Sequence, residues 1–482
     1  MNYRMVFSMV GRLLLLEAVL LLLPATVSLI YQESSLWALL ASAGVGLVLG
    51  GSLWLFCRPK DQTIYAKEGF VIAALSWVSL SVVGALPFTF SGEIPNYIDA
   101  YFETVSGFTT TGASIIPDLT TMSHGILFWR SFTHWVGGMG VLVLMMALTP
   151  TGSGRSIHLM RAEVPGPIVG KLVPRIRDTA KILYIIYLVM TVVEIVCLLL
   201  AGMPLFDSVI HSFGTAGTGG FGIKATSIGG YGPACQWIIT VFMLLFGVNF
   251  NLYYLLLIRS FRSVLTSREL WTYLGVAVVA VALVTGNTVS LFETVGETVR
   301  HAAFQVSSIM TTTGFATIDF NSWPNFSKAV LFLLMFIGGC AGSTAGGLKV
   351  SRLMLLFKTV TRDMRRLVHP RSVGVIKLEG KRVDDAVVRS ASAYFVLYFV
   401  LFAAILLLIS LEPEPFDLET NLTAVAACIN NVGPGFGMVG PTGSYADYSD
   451  FSTAVLSFAM LLGRLELYPL LITLLPRTWM KD

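Results

Sequence analysis

"FTTTGAS" at Phe108–Ser114 and "MTTTGFA" at Met310–Ala316 are near-copies of each other in a chain of 482 residues. Two more stretches continue the series: "GTAGTGGFG" at Gly214–Gly222 and "NNVGPGFG" at Asn430–Gly437. Aligned on Gly112, Gly220, Gly314 and Gly433, the stretches recur at intervals of roughly one hundred residues. Two positions before each glycine stands a small polar residue: Thr110, Thr218, Thr312 and Asn431. Between them lie Thr111, Gly219, Thr313 and Val432, so the second stretch admits Gly219 as an alternative register.

The surroundings of these stretches are apolar. Hydrophobic residues make up 55% of the chain and charged residues 12%, with a mean hydropathy of +0.76. A soluble protein carries about twice that charge. Ten runs, at about 5–31, 36–56, 69–90, 125–148, 181–204, 236–258, 270–290, 329–357, 391–411 and 452–475, approach the length that crosses a bilayer. The chain is therefore a polytopic membrane protein, with no room for a soluble domain. The first run contains Glu17 and ends without a small-residue cleavage site, so it is expected to be a retained span. Five scattered cysteines without CxxC spacing suggest neither a disulfide framework nor a metal site.

The cations set the orientation. Six lysines and arginines fall in 151–182, eleven in 349–389, and three each in 58–67 and 259–268. The alternate loops hold only Lys224, Arg300 and Lys328. Cation-rich loops stay cytoplasmic, which places both termini inside and all four glycine stretches outside.

From residue 69 the pattern span, short segment, glycine stretch, span occurs four times. Each short segment has acids near its start: Asp99 and Glu103, Asp207, Glu293 and Glu297, Asp417 and Glu419. Such acids suit the positive end of a helix. The expectation is four re-entrant helices, each returning through an extended glycine stretch. Irregular backbone at membrane depth must be buried in protein or line a watery cavity, and four strands around one axis would present carbonyl oxygens to a bare cation. Glycine- and threonine-rich stretches also mediate helix packing, but four of them, all external and all after a short helix, favour an ion filter. The literal GxGxxG at Gly217, Gly219 and Gly222 has no βαβ context and is noise.

Two features fall below the filter level. "GGCAGSTAGGLK" at Gly338–Lys349 interrupts the eighth run with Gly338, Gly339, Gly342, Ser343, Thr344, Ala345, Gly346 and Gly347. It is either a movable gate or a kink that permits close packing. Arg464, midway along the last run, is expected to face the pore, with a structural ion pair as the alternative. Glu194 is read as a packing or hydrogen-bonding residue, and the six histidines show no ligand spacing. The basic stretch Phe357–Asp385 ends in a hairpin-like "VIKLEGKRV" turning at Glu379–Gly380. It either anchors against anionic lipid or also docks a soluble partner.

The stretches "SGFTTTGAS", "TGGFG", "TTTGFAT" and "NNVGPGFG" resemble the Trk/Ktr/HKT superfamily of potassium uptake proteins. "GGCAGSTAGGLKVSR", "EVPGPIVGKLVPRIRDTAK" at Glu163–Lys181, "RRLVHPRSV" and "GRLELYPLL" are similar to its bacterial TrkH branch. The fold class is thus expected to be all-α, with four pseudosymmetric repeats around one pore and two extra amino-terminal helices. The expected divisions are 1–68 for those helices, then 69–150, 151–262, 263–360 and 361–482 for the repeats. The resemblance implies potassium as the transported ion, a filter with one glycine per repeat, and a gate at Gly338–Gly347 with Arg464 nearby. It also implies a homodimer in the bacterial inner membrane and a cytoplasmic RCK-type (TrkA-like) subunit binding NAD or ATP. No cofactor is expected on this chain and no nucleic acid as partner. Departures from four-fold symmetry are Ala113 and Pro434 where Phe221 and Phe315 follow the other glycines. A rival is a sodium- or proton-coupled symporter, for which few membrane carboxylates are available. A membrane enzyme lacks any nucleophile–base pair, metal-ligand cluster or phosphate loop to support it.

Overall fold

A computed structural model describes residues 1–59, 64–140, 143, 176–372, 374–412 and 416–480. Most of the cationic stretch 151–182, including Glu163–Arg175 of the motif above and His158, lies outside the described residues.

The protein is all-α, with one two-stranded hairpin among the described residues. Among the described residues, six helical segments are long and apolar enough to span a bilayer: Tyr3–Ile30, Ser35–Phe56, Ala66–Ser91, Asp178–Leu200, Arg268–Leu291 and Asp385–Ile409. Their exposed leucines, valines and phenylalanines, such as Leu47, Val48, Val278 and Val400, form the lipid-facing surface.

The helices that follow the glycine stretches depart from expectation. Continuous spans were expected, with a break only in the eighth. The structure breaks three of these four helices. One is Pro233–Phe246, which turns by 90° into Phe250–Leu257. Another, Asn325–Ile337, stops at the Gly338–Lys349 segment and resumes as Val350–Val368. The last, Asp450–Arg464, stops where Glu466 and Leu467 take left-handed backbone, and resumes as Tyr468–Leu474. Apolar length concealed these breaks. Local punctuation marks them: Asn249 caps the second half of one pair, and Pro469 opens the second half of another.

The short helices are present as expected: Tyr97–Phe108, Leu205–Gly217, Val295–Met310 and Leu418–Ile429. Asp99, Asp207, Glu297 and Glu419 sit in their first turns, and Asp417 caps the fourth through the Thr420 N–H. The hairpin also forms as expected, with Lys377–Leu378 paired to Lys381–Arg382. Its turn has Glu379 and Gly380 at φ 48° and 76°, the all-positive geometry of a tight hairpin.

Candidate functional site

All four short helices end alike. The N–H groups of Thr111, Gly219, Thr313 and Val432 donate to carbonyls five residues back, at 2.8–2.9 Å. Those of Thr110, Thr218, Thr312 and Asn431 donate three residues back, at 3.0–3.2 Å. This bond pair is the left-handed helix terminus in which glycine usually occupies the turn. Here that turn falls on Thr110, Thr218, Thr312 and Asn431, at φ 54–57°. The threonines are β-branched, so each position carries strain of about 1–2 kcal/mol.

Two residues on, Gly112, Gly220, Gly314 and Gly433 are left-handed again, at φ 80°, 78°, 84° and 98°. The residue between is not, so backbone handedness alternates through each strand. Gly219 therefore takes the same backbone position as Thr111, Thr313 and Val432.

The glycines close a ring. A Cβ on Gly112 would lie 1.9 Å from the carbonyl oxygen of Gly219, and one on Gly220 1.9 Å from that of Thr313. A Cβ on Gly314 would lie 2.3 Å from the Val432 oxygen, and one on Gly433 2.6 Å from the Thr111 oxygen. Each strand thus presses its glycine against the carbonyl preceding the next glycine, and the fourth returns to the first. No side chain fits at these four positions. A cavity of about 110 Å³ opens onto all four glycines, with Arg130, Lys224 and Tyr445 in its walls.

Behind the ring stands a brace that composition did not reveal. Arg130, on the helix His124–Gly138, is buried; its Nε donates to Glu103 Oε1 at 2.5 Å and its Nη1 to the Gly222 carbonyl at 2.9 Å. Its guanidinium lies 3.5 Å from the centre of the Phe221 ring. Glu103 accepts from the Ser114 hydroxyl at 3.0 Å and the Ile115 N–H at 2.9 Å. Glu103 was expected near the start of its helix as a dipole partner. It lies instead in the middle of Tyr97–Phe108, holding the chain just past the first glycine stretch.

His134 completes the brace. Its Nδ1 lies 2.7 Å from the Gly107 carbonyl, and its Nε2 accepts from the Phe221 N–H at 3.2 Å. Only the neutral ring protonated on Nδ1 satisfies both contacts. A Cβ on Gly219 would lie 2.4 Å from this ring, which explains the glycine there. "WRSFTHW" at Trp129–Trp135 was the available signal, a cation and an imidazole inside an apolar run.

The Gly338–Lys349 segment lies directly beneath. The Gly346 N–H donates to Thr312 Oγ1 at 2.6 Å, and the Gly347 N–H to the Asn430 carbonyl at 3.0 Å. Its other edge follows the bend of the second repeat: Cys340 N–H to Gly247 O at 2.9 Å, and Phe250 N–H to Gly342 O at 3.0 Å. Glu269 Oε1 accepts from the Ala341 N–H at 2.8 Å. Gly338 itself, at φ 73° and ψ −169°, occupies backbone territory open only to glycine.

Arg464 spans this layer. Its guanidinium donates to the Thr344 carbonyl at 3.0 Å and to the Gly137 and Gly138 carbonyls at 2.5 and 2.7 Å. It links the segment to the end of the first repeat's inner helix. Glu466 projects away from it, to Arg352 at 2.9 Å.

A family model described as TrkH, cation transport protein, matches residues 40–277 and 254–479. The chain is 38% identical to the Trk system potassium uptake protein TrkH of Salmonella typhimurium over 486 residues, covering 99% of this chain and 100% of that one. It is also 38% identical to the protein of that name from Escherichia coli (strain K12), covering 99% of this chain and 100% of the other. The crystal structure of the potassium transporter TrkH from Vibrio parahaemolyticus superimposes with a TM-score of 0.89 at 35% identity, covering 100% of both chains. With the helix order, the glycine ring and full-length similarity in agreement, this chain belongs to the TrkH family of cation transport proteins.

Proposed function

We propose that this protein carries potassium ions across the bacterial inner membrane by a channel-like route, with both termini in the cytoplasm. The observation that carries the reading is the closed ring of Gly112, Gly220, Gly314 and Gly433, each set against its neighbour's carbonyl. Alternating backbone handedness turns successive carbonyls of one strand to the same side. Such oxygens replace a potassium ion's water shell without net charge. The filter comprises Thr110, Thr111 and Gly112; Thr218, Gly219 and Gly220; Thr312, Thr313 and Gly314; and Asn431, Val432 and Gly433. Potassium is the transported substrate, and the relatives named as potassium uptake proteins support that choice.

The segment Gly338–Gly347 is the gate in this reading, and Arg464 is its latch. The support is that the segment bonds to a filter residue on one side and to Arg464 on the other. A homodimer and a cytoplasmic RCK-type subunit binding NAD or ATP complete the proposal. That subunit would act on the face carrying the hairpin and the helix Val350–Val368, which leads directly from the gate.

Coupled symport is the second reading. It has one observation in its favour: Glu17, a carboxylate buried within the first span beside Gly84. The deciding experiment is rubidium uptake with sodium competition into liposomes holding the purified protein, compared with Gly314→Ser. Passive potassium-selective flux that the substitution blunts or opens to sodium supports the channel. Flux that appears only with a sodium or proton gradient establishes symport. No flux in either condition, with the regulatory subunit present, overturns the filter assignment.

A further inference from the structure

On the cytoplasmic side a cavity of about 600 Å³ lies outside everything described so far. Three separate elements bring cations to it: Arg268 at the start of the helix Arg268–Thr288; Lys358, Arg362 and Arg365 on Val350–Val368; and Lys377 on the hairpin. Among the described residues only Arg362 has acidic partners, Asp363 at 3.0 Å and Asp385 at 3.4 Å, both exposed. Lys358 Nζ donates to the Lys377 carbonyl at 2.7 Å, which ties the hairpin to the helix. The side chains of Arg268, Arg365 and Lys377 make no ion pair among the described residues. Ser372 adds a hydroxyl, and the Gly374–Lys377 backbone closes one wall.

A solvated charge run would spread its cations outward along one helix. These converge on one hollow from three elements, and apart from the Arg362 pairs and Glu379, which accepts from the Arg268 N–H at 3.2 Å, no carboxylate among the described residues pairs with them. We infer that the hollow binds a phosphate-bearing anion, because planar guanidiniums and flexible ammoniums together suit phosphate oxygens. The helix indicates the source. Phe357, Val360, Met364 and Leu367, at helical spacing, are 72%, 57%, 62% and 84% exposed beside the cationic row. An exposed apolar stripe flanking a cationic one is the pattern of a helix lying at a membrane interface. The headgroup of an anionic phospholipid therefore fits best, with free polyphosphate sharing the same chemistry.

The test uses the full-length protein and the double variant Arg365→Gln/Lys377→Gln, both positions being exposed and without a side-chain ion pair among the described residues. In detergent, tripolyphosphate is titrated while the unfolding temperature is followed. The wild type should show a saturable rise, and the variant, with the same unliganded Tm, should need about thirtyfold more ligand, since it loses two cations at about 1 kcal/mol each. In nanodiscs of phosphatidylglycerol that response should vanish, while in phosphatidylcholine it should persist; this outcome identifies the lipid as occupant. Equal responses in both discs would identify a free polyphosphate. An unchanged response in the variant overturns the site, as does a wild type that ignores both phosphate probes and answers only to an acidic polypeptide.

Discussion

The glycine ring and the layer beneath it are made by the same four segments of chain, yet one is nearly symmetric and the other is not. In the ring, four strands share the same helix ending, the same two left-handed positions and the same contact with a neighbour. One layer down, the inner helices end differently. The second bends, the third opens into a glycine segment, and the fourth ends on Arg464, which reaches across to the first. In the proposed reading, an ion in a ring of equivalent carbonyls meets the same field from every side, so repetition would serve a filter. A closed and an open state need a single element able to move. In that reading one loop with one latch would supply it, whereas four copies would have to move in concert.

This contrast can be broken experimentally, most forcefully at the ring. Gly220→Ala places a Cβ 1.9 Å from the Thr313 carbonyl at φ 78°. Left-handed strain of about 1–2 kcal/mol and overpacking of about 1–3 kcal/mol add up. Potassium uptake should therefore fall by about a hundredfold, measured in liposomes on protein that remains folded. Gly433→Ala, with 2.6 Å of clearance, should be milder. Equal losses at both positions would show the ring to be less graded than its geometry.

Arg464→Gln should act in the opposite direction. Charged hydrogen bonds to Thr344, Gly137 and Gly138 are lost, at about 1.5–3 kcal/mol for a charged donor. Flux without the regulatory subunit should rise about tenfold. A fall instead would mean that Arg464 supports the filter and does not hold the gate.

His134→Ala tests whether the brace sets selectivity. Losing its bonds to Gly107 and Phe221, at about 1 kcal/mol, should lower the preference for potassium over sodium about fivefold in competition uptake. Total flux should change less than selectivity. Equal changes in both would assign His134 to folding alone.

The smallest effect lies farthest from the ring. Glu33, in the turn after Tyr3–Ile30, accepts from the His124 and Gly125 N–H groups at 2.8 and 3.0 Å. Burial raises its pKa, but these N–H groups and the His124 ring together outweigh burial and hold it below the ordinary carboxylate value. Its stabilisation is therefore complete above about pH 4.3 and is lost as pH falls through the lowered folded value. Below pH 4 the Tm should drop by an amount on the order of a degree, and Glu33→Gln should remove that slope.

Much of this was legible in the chain. The registers at Gly112, Gly314 and Gly433 follow from spacing, as do the short helices, because caps and acidic first turns are local; the choice of Gly220 over Gly219 needed the backbone. The hairpin at Glu379–Gly380 is equally local. Glu103 was misread because its sequence position suits a helix dipole as well as a buried ion pair, and only the approach of Arg130 decides between them. The bends after Phe246 and Arg464 were hidden by runs whose hydropathy does not register a break.

By itself the sequence determined a membrane protein, the places of its short helices and, to within one residue, the four points where glycine is required. These depend on burial preference, helix period and backbone freedom, each settled within a few residues. The tertiary structure alone decided that Gly433 abuts Thr111, that His134 joins the end of the helix Tyr97–Phe108 to the second glycine stretch, and that Arg464 ties Gly137 and Gly138 to Thr344. Those contacts join residues up to several hundred positions apart, and their distances are set by how whole helices pack.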